Sequence, residues 1–432
     1  MNYQEALDYI HGIYKFGSKL GLENITYLLE LMGNPHKGLK VIHVAGTNGK
    51  GSTSSFIHSV LVKQGYKVGL YTSPFLEEFT ERIRINHFNI SKEDLGEITA
   101  FVKEKVEQML LDGKSHPTEF EVVTAIGFEY FKRQQVDYLV LEVGLGGKGD
   151  STNVIDHPLV SVITPIDFDH IDYLGDTIEK IAFEKAGIIK AGCPVVSHPQ
   201  RDGAKQVIEE VCSRKEAALV WAPVDNIQMV DASVEGQRFH IAIESQAYEN
   251  LHISLLGEHQ TRNAAVALTA LHVLKDQRHV EISQQAIYEG MEMAAWPGRL
   301  EIMKRNPTIL IDGAHNFHGM RSLAKALKDL FSGKSIHFVI GVLGDKDVKG
   351  MLSEIMPLAD TVILTKPQNP RAMSLDRLKS IIEDYGKNPI LRERISEAVE
   401  TGISTCGKED VLVFCGSLYM IGEVRTILKN RV

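Results

Sequence analysis

The stretch Gly46-Thr47-Asn48-Gly49-Lys50-Gly51-Ser52-Thr53 constrains this chain more than any other. An apolar run over residues 39–45 precedes it, and a segment with helical spacing follows. It therefore reads as a strand, a glycine turn and a helix start. Glycines let backbone N–H groups point at a ligand, and a helix start favours an anion. Lys50 adds a mobile cation and Ser52 a hydroxyl for a metal. Together they predict a triphosphate cradle, with Asn48, Gly49, Lys50, Gly51, Ser52 and Thr53 against the nucleotide. The usual phosphate loop has Ser or Thr directly after its lysine; here Gly51 intervenes. A plain glycine-rich turn between strand and helix is the alternative.

Bulk properties narrow the partners. With 432 residues the chain exceeds one ordinary domain, so two are expected. A net charge of −9 argues against nucleic acid, because a duplex would be repelled outside a local basic patch. No apolar run is long enough to span a bilayer, and residues 1–8 lack a basic, apolar leader. Cys193, Cys212, Cys406 and Cys415 lie far apart without metal spacing, which reads as free thiols in a reducing cytosol. The expectation is a cytoplasmic protein with neither a membrane nor a nucleic-acid partner. No heptads argue for assembly, so a monomer is the default.

Apolar runs alternate with helical patterns, as in parallel sheets with crossover helices. Strands are expected at 39–45, 68–72, 138–143, 160–165 and 194–197, and helices at 50–64, 91–111, 118–134 and 177–189. Two helices open on capping-box patterns, Ser91 with Asp94 and Thr118 with Glu121. Shorter segments at 219–222, 227–230, 239–243 and 253–255 alternate more and predict a small antiparallel patch appended to the parallel sheet. A helix is expected at 260–274. Trp296-Pro297-Gly298-Arg299 interrupts the pattern, and a second α/β series follows with strands at 308–312, 336–342, 361–365 and 411–415. The fold class is thus α/β, divided into domains at 1–296 and 299–432.

Several residues gather at predicted strand ends, where open α/β sheets bind ligands. Glu142, followed by Gly144-Leu145-Gly146-Gly147, ends one strand and suits Mg²⁺, which prefers oxygen ligands. An ordinary, partly exposed glutamate is the alternative. His170, in Asp167-Phe168-Asp169-His170, offers a ring nitrogen to a second cation, or merely caps a helix. Ser73-Pro74-Phe75 ends another strand, and Arg82 and Arg84 follow as candidate partners for an anionic acceptor. Asn263 carries an amide that can pair with an adenine edge. In the second domain Asp312, in Asp312-Gly313-Ala314-His315-Asn316, can accept from ribose hydroxyls, and His315 can approach phosphates or an acceptor amine. Arg299 sits on the linker within reach of a γ-phosphate. Lys185 lies on a largely apolar helix end. On the residues alone, a surface lysine with a snorkelling stem is the simpler reading. Burial would instead favour a neutral amine able to form a carbamate with CO₂. His43 and His58 flank the loop and are not read as ligands; Trp221 and Trp296 are read as packing residues.

Taken in order, these elements resemble the folylpolyglutamate synthase and dihydrofolate synthase family within the Mur ligase superfamily. The carriers are the segments 46–53, 72–74, 80–84, 142–147, 169–170, 183–187, 257–263, 297–299 and 312–316, and they span nearly the whole chain. The resemblance implies a phosphate-loop ATPase domain followed by a Rossmann-like domain, with the active site between them. It implies ATP and Mg²⁺, with Ser52, Ser73, Glu142 and His170 toward metal and carbamylated Lys185 supporting the second cation. Asn263, Arg299, Asp312 and His315 become nucleotide contacts, with Lys50, Lys185 and His315 nearest the chemistry. Ser73, Pro74, Phe75 and Arg82 border the pteridine site. The implied substrates are dihydropteroate or a reduced folate, L-glutamate and ATP. Two positions depart from the family pattern: Lys148-Gly149-Asp150 stands where Arg-Leu-Asp is usual, and Phe317 where Pro is usual. A Mur-type ligase of peptidoglycan precursors and an ATP-switched binding protein are the alternative functions.

Overall fold

Hydrophobic strands with no polar alternation need cover on both faces, and the chain supplies it with helices. The computed structural model describes residues 1–13 and 21–431. Its largest sheet has eight strands in chain order: β1 Val41–Ala45, β2 Val68–Tyr71, β3 Ile83–Ile85, β4 Phe88–Asn89, β5 Tyr138–Glu142, β6 Val160–Ile163, β7 Val195–Ser197 and β8 Leu219–Trp221. In space they run β4-β3-β2-β5-β1-β6-β7-β8. β2, β5, β1, β6, β7 and β8 are mutually parallel, and β3 and β4 add an antiparallel edge. Every residue of β1, β2, β5 and β6 is buried. β1 lies at the centre, so the loop that leaves it opens between the ends of β5 and β6.

Most predicted strands and helices appear within a few residues of their expected bounds, but the strand expected at 253–255 lies earlier, ending at Ile253. Thr118 and Glu121 form a full capping box, each satisfying the other's backbone N–H. Ser91 is only half of one. Its hydroxyl accepts from the Asp94 N–H, and it donates to the Asp94 carboxylate, which is too short to reach back to the backbone. The segment 219–222 is a correction. It is not part of an antiparallel patch but the outer parallel strand β8, paired in register Val195↔Leu219 after the helix Asp202–Arg214. Its three residues, Leu219, Val220 and Trp221, are all half-buried, as suits the edge of a sheet. The patch itself is also not appended to the large sheet. It is a separate three-stranded sheet of β9 Gln228–Ser233, β10 Gly236–Ile243 and β11 Gln246–Ile253. β3 and β4 went unread because three and two residues are too few for a period.

A third sheet holds β12 Glu301–Arg305, β13 Thr308–Ile311, β14 Ile336–Ile340, β15 Thr361–Leu364, β16 Ile390–Leu391 and β17 Val411–Cys415, ordered β12-β13-β17-β14-β15-β16. All its neighbours are parallel except the charged edge strand β12. The chain divides into two compact units. One takes Met1–Ile227, Ile241–Tyr248 and Arg262–Ala294; the other takes Gln228–His240, Glu249–Thr261 and Ala295–Val432. Each has its own apolar core. In the first, the helices Tyr3–Gly12, Glu23–Leu31, Lys92–Leu111 and Glu119–Arg133 bury Ile10, Leu28, Val102 and Phe128 together over one face of the sheet. In the second, Leu310, Phe338, Leu352 and Val413 are fully buried around the third sheet.

The phosphate-loop helix Lys50–Lys63 is itself covered by the helix Gln284–Met293, which Ser283 caps. The two backbones come very close. A Cβ at Gly290 would sit 2.4 Å from the Val60 Cα. Gly290→Val is therefore expected to destabilise the first unit by ~1–3 kcal/mol through forced separation of the helices, read as a lower urea midpoint at unchanged slope.

Candidate functional site

The loop after β1 is shaped by one close approach. Gly46 has φ 151°, and a Cβ there would lie 1.9 Å from the Thr164 Oγ1, so only glycine fits. The loop is laced to the segment after β6. The Thr47 N–H donates to the Pro165 carbonyl at 2.9 Å, the Thr47 hydroxyl donates to the Asp167 carbonyl at 2.9 Å, and the Asp167 N–H returns a bond to that hydroxyl. Gly49 takes φ 84° as it enters the helix, and a Cβ there would meet the Asn263 Oδ1 at 2.4 Å. The Asn263 amide thus lies directly on the loop. Ser52 and Thr53 are buried in the first turn of the helix. Lys50 curls back over the loop and donates to the carbonyls of Gly46 and Thr47 at 3.2 and 3.3 Å.

A second ammonium reaches the same carbonyl. The Lys185 Nζ donates to the Gly46 O at 2.9 Å from the helix Ile178–Ala186, and Lys185 is only 4% exposed. The snorkelling reading is therefore wrong, because the apolar helix end faces the interior. Burial first, and the nearby charge of Lys50 second, push its pKa down to about 7. A substantial neutral fraction exists near neutrality, which carbamate chemistry requires.

The segment after β5 holds this helix. Glu142 ends β5, paired with Val44 and 4% exposed. Asp150, buried among the turns that follow, accepts from the Leu145 N–H at 2.8 Å, the Thr152 N–H at 3.0 Å and the Thr152 hydroxyl at 2.6 Å. Burial still raises its pKa against those bonds. The Thr152 proton is committed to Asp150, so the 2.9 Å contact with the His43 Nε2 makes that ring nitrogen the donor. The sequence reading passed over this chain of contacts from β1 to the glycine loop. Asp150 is flagged there only beside the Lys148-Gly149 departure, and nothing local signals that its carboxylate turns inward.

The remaining first-unit candidates lie at the same sheet edge. Ser73 follows β2 through Thr72, at a cis Ser73-Pro74 bond, and is part-buried with Phe75. Arg82 lies over the Phe79 and Phe120 rings, 5.6 and 5.9 Å from their centroids, which holds its guanidinium beside an aromatic wall. His170 has a left-handed backbone and begins the short helix Ile171–Leu174, with its ring exposed beside Asp169 at 3.9 Å. Among the described residues no three His, Cys, Asp or Glu side chains cluster as a metal cage. The buried donors are one carboxylate, Glu142, and the Ser52 hydroxyl. A sparse set led by oxygen donors, to which the exposed His170 ring adds a nitrogen, fits Mg²⁺, which keeps waters and binds largely through substrate phosphates.

In the second unit Asp312 follows β13 and is 6% exposed. It accepts from the Leu300 and Ala314 N–H groups, both at 2.8 Å, and burial raises its pKa while Arg299 opposes the shift. A Cβ at Gly313 would meet an Arg299 guanidinium nitrogen at 2.9 Å, so Arg299 packs on this corner. The His315 Nδ1 contacts the Gly313 carbonyl at 2.7 Å. Asn316 caps the helix Phe317–Leu330 through the Gly319 N–H, so Phe317 takes the first helical position without disturbing the turn. His259 adds a base whose pKa burial pushes down to about 4, with Arg299 contributing.

The chain matches the Mur ligase middle domain over residues 44–271 and the Mur ligase glutamate ligase domain over residues 298–418. The chain belongs to the Mur ligase family. Within it, this ligase is 39% identical over 434 residues to the dihydrofolate synthase/folylpolyglutamate synthase of Bacillus subtilis, with 99% of each chain covered. The solved folylpolyglutamate synthase of Mycobacterium tuberculosis complexed with ADP aligns at a TM-score of 0.90 and 30% identity, covering 99% of both chains. Escherichia coli FolC in complex with DHPP and ADP aligns at 0.89 and 30%, covering 100% of this chain and 98% of that one. This Mur ligase is therefore an ATP-dependent ligase of the folylpolyglutamate and dihydrofolate synthase type, and the peptidoglycan and ATP-switch readings give way. Among its described residues no helix is long and apolar enough to cross a membrane.

The two histidines flanking the loop have a pH consequence. Burial pushes His43 and His58 each down to about 3 from an ordinary 6.5. The unfolded chain then binds protons between pH 6.5 and about 3 that the folded chain refuses, so both residues erode stability as pH falls through that window. His58→Gln is expected to flatten the loss of urea-unfolding free energy between pH 7 and pH 5 relative to wild type. An unchanged slope would show that His58 keeps its proton in the fold.

Proposed function

We propose that this ligase adds L-glutamate to dihydropteroate, to the glutamyl tail of reduced folates, or to both, through an acyl phosphate. The observation that carries the reading is the pairing of Lys50 and Lys185 on the Gly46 carbonyl at the edge of a central parallel sheet. A folate-type carboxylate attacks the γ-phosphate of ATP, the bond to ADP breaks, and the acyl phosphate forms. The glutamate amine then attacks the activated carbonyl, loses a proton and expels phosphate. Splitting the step replaces a poor leaving group with a good one.

In this reading residues 1–296 bind ATP and residues 299–432 form the glutamate-ligase domain. Backbone N–H groups of Asn48 to Thr53 receive the phosphates, and Lys50 swings from its loop carbonyls onto the transferring group. Asn263, Arg299 and Asp312 serve this reading as nucleotide contacts, and His315 as a partner for the phosphates or the acceptor amine. Ser52, Ser73, Glu142 and His170, with Lys185 as a carbamate, are the residues that would hold Mg²⁺, which when bound neutralises charge on the phosphates. Ser73, Pro74, Phe75 and Arg82 border the folate, with Arg82 offering its guanidinium to a carboxylate. The enzyme acts as a cytoplasmic monomer.

The test is ADP release with dihydropteroate or tetrahydrofolate, with and without L-glutamate, combined with product mass. A gain of one glutamyl unit that depends on all three substrates is the expected result; a silent panel rejects the reading. Lys50→Ala and Glu142→Ala are expected to lower turnover at least ~10²-fold while leaving the thermal midpoint near wild type. Normal turnover by either variant removes that residue from the site.

A further inference from the structure

Lys185 is only as well placed as the helix end that carries it, and that end is gripped from one side. The Lys148 N–H donates to the Glu184 carbonyl at 2.7 Å. Gly187 stands so close to Lys148 that a Cβ there would lie 2.4 Å from the Lys148 Cα. Across this seam lies one amide. The Asn153 Nδ2 donates to the Lys148 carbonyl at 3.0 Å and to the Gly187 carbonyl at 3.1 Å, from a side chain that is 4% exposed. Both of its N–H groups are spent on carbonyls from two different segments, so its orientation is fixed by chemistry. The turn that presents it, Ser151–Val154, is capped by Asp150, and the Asn153 carbonyl accepts from the Lys190 Nζ at 3.1 Å. Asn153 thus joins the loop after β5, which begins at Glu142, to the helix end that carries Lys185.

We propose that Asn153 is a positioning residue for Lys185. Its amide sets the spacing between the loop after β5 and the end of the helix Ile178–Ala186, and through that spacing it fixes the Lys185 ammonium on the Gly46 carbonyl. This rests on the assignment of Lys185 to the phosphate site made above. The Asn153 amide donates to both segments at once, beside the backbone bond from Lys148 to Glu184, so loss of its two donors loosens one segment against the other. Asn153→Asp is the sharpest variant, since it keeps the shape but turns both donors into acceptors that face two carbonyls. Gly187→Ala opens the same seam from the opposite side and leaves the Asn153 side chain itself in place.

The experiment combines steady-state kinetics of glutamate-dependent ADP release, thermal midpoints, and hydrogen exchange read by mass spectrometry on the full chain. Asn153→Asp is expected to lower kcat about tenfold or more while KM for ATP stays near wild type. Faster exchange should be confined to residues 144–150 and 184–189, and Gly187→Ala should reproduce both effects. Undiminished kcat with the same local exchange overturns the proposal. So does exchange that rises across the whole first unit, with kcat falling only in step with the folded fraction. If Asn153→Asp does not fold, Gly187→Ala decides: reduced kcat at near-native midpoint supports the proposal, and native kcat overturns it. Lys185→Ala separates the two levels. A variant that still turns over normally removes Lys185 from the site and the proposal with it, whereas an inactive Lys185→Ala beside a fully active Asn153→Asp overturns the positioning role alone.

Discussion

One carbonyl oxygen organises the first unit. The Gly46 O receives two ammonium groups, one from the helix that the loop begins and one from a helix more than a hundred residues away. Burial first, and the neighbouring Lys50 charge second, lower the proton affinity of Lys185, the buried member of the pair. The rest of the site follows from that meeting. Gly46 must lack a side chain so that Thr164 can approach, Gly147 and Gly187 must lack side chains so that the second helix can approach, and Asp150 must turn inward so that the intervening loop keeps its shape.

The buried polar groups around this point form a connected set rather than isolated concessions. Asp150 accepts three bonds, one of them from the Thr152 hydroxyl that itself accepts from His43 on the central strand, and Asn153 bridges two carbonyls. Burial of each costs free energy that a partner must offset, and the bonds they share tie the loop after β5 to the central strand and to the helix end that carries Lys185. The site gains rigidity from hydrogen bonds at the places where glycine leaves no side chain to pack.

Much of this was legible in the residue order. The strand–loop–helix unit, the parallel sheet and the Thr118 capping box all declare themselves through local chemistry, as does the clustering of Ser73, Glu142 and the 167–170 segment at strand ends. What escaped was set by distant contacts. Whether Lys185 snorkels or turns inward depends on what its helix end faces, and an apolar sequence is compatible with both. β8 is three half-buried apolar residues at the edge of its sheet, too short for its parallel pairing to show in its own sequence. Asn153 looks like any asparagine in a turn, since both of its acceptors come from segments that only the fold brings to it.

The neutral histidine on the central strand has a wider consequence. His43 sits two residues before the end of β1 with its proton fixed on one nitrogen, and His58 is likewise uncharged on the following helix. The elements that lead into and out of the phosphate loop therefore present an electrostatic background that stays constant across the physiological pH range. Metabolic swings in acidity therefore leave the two histidines that flank the loop unchanged, whereas the Lys185 amine on the Gly46 carbonyl titrates among them.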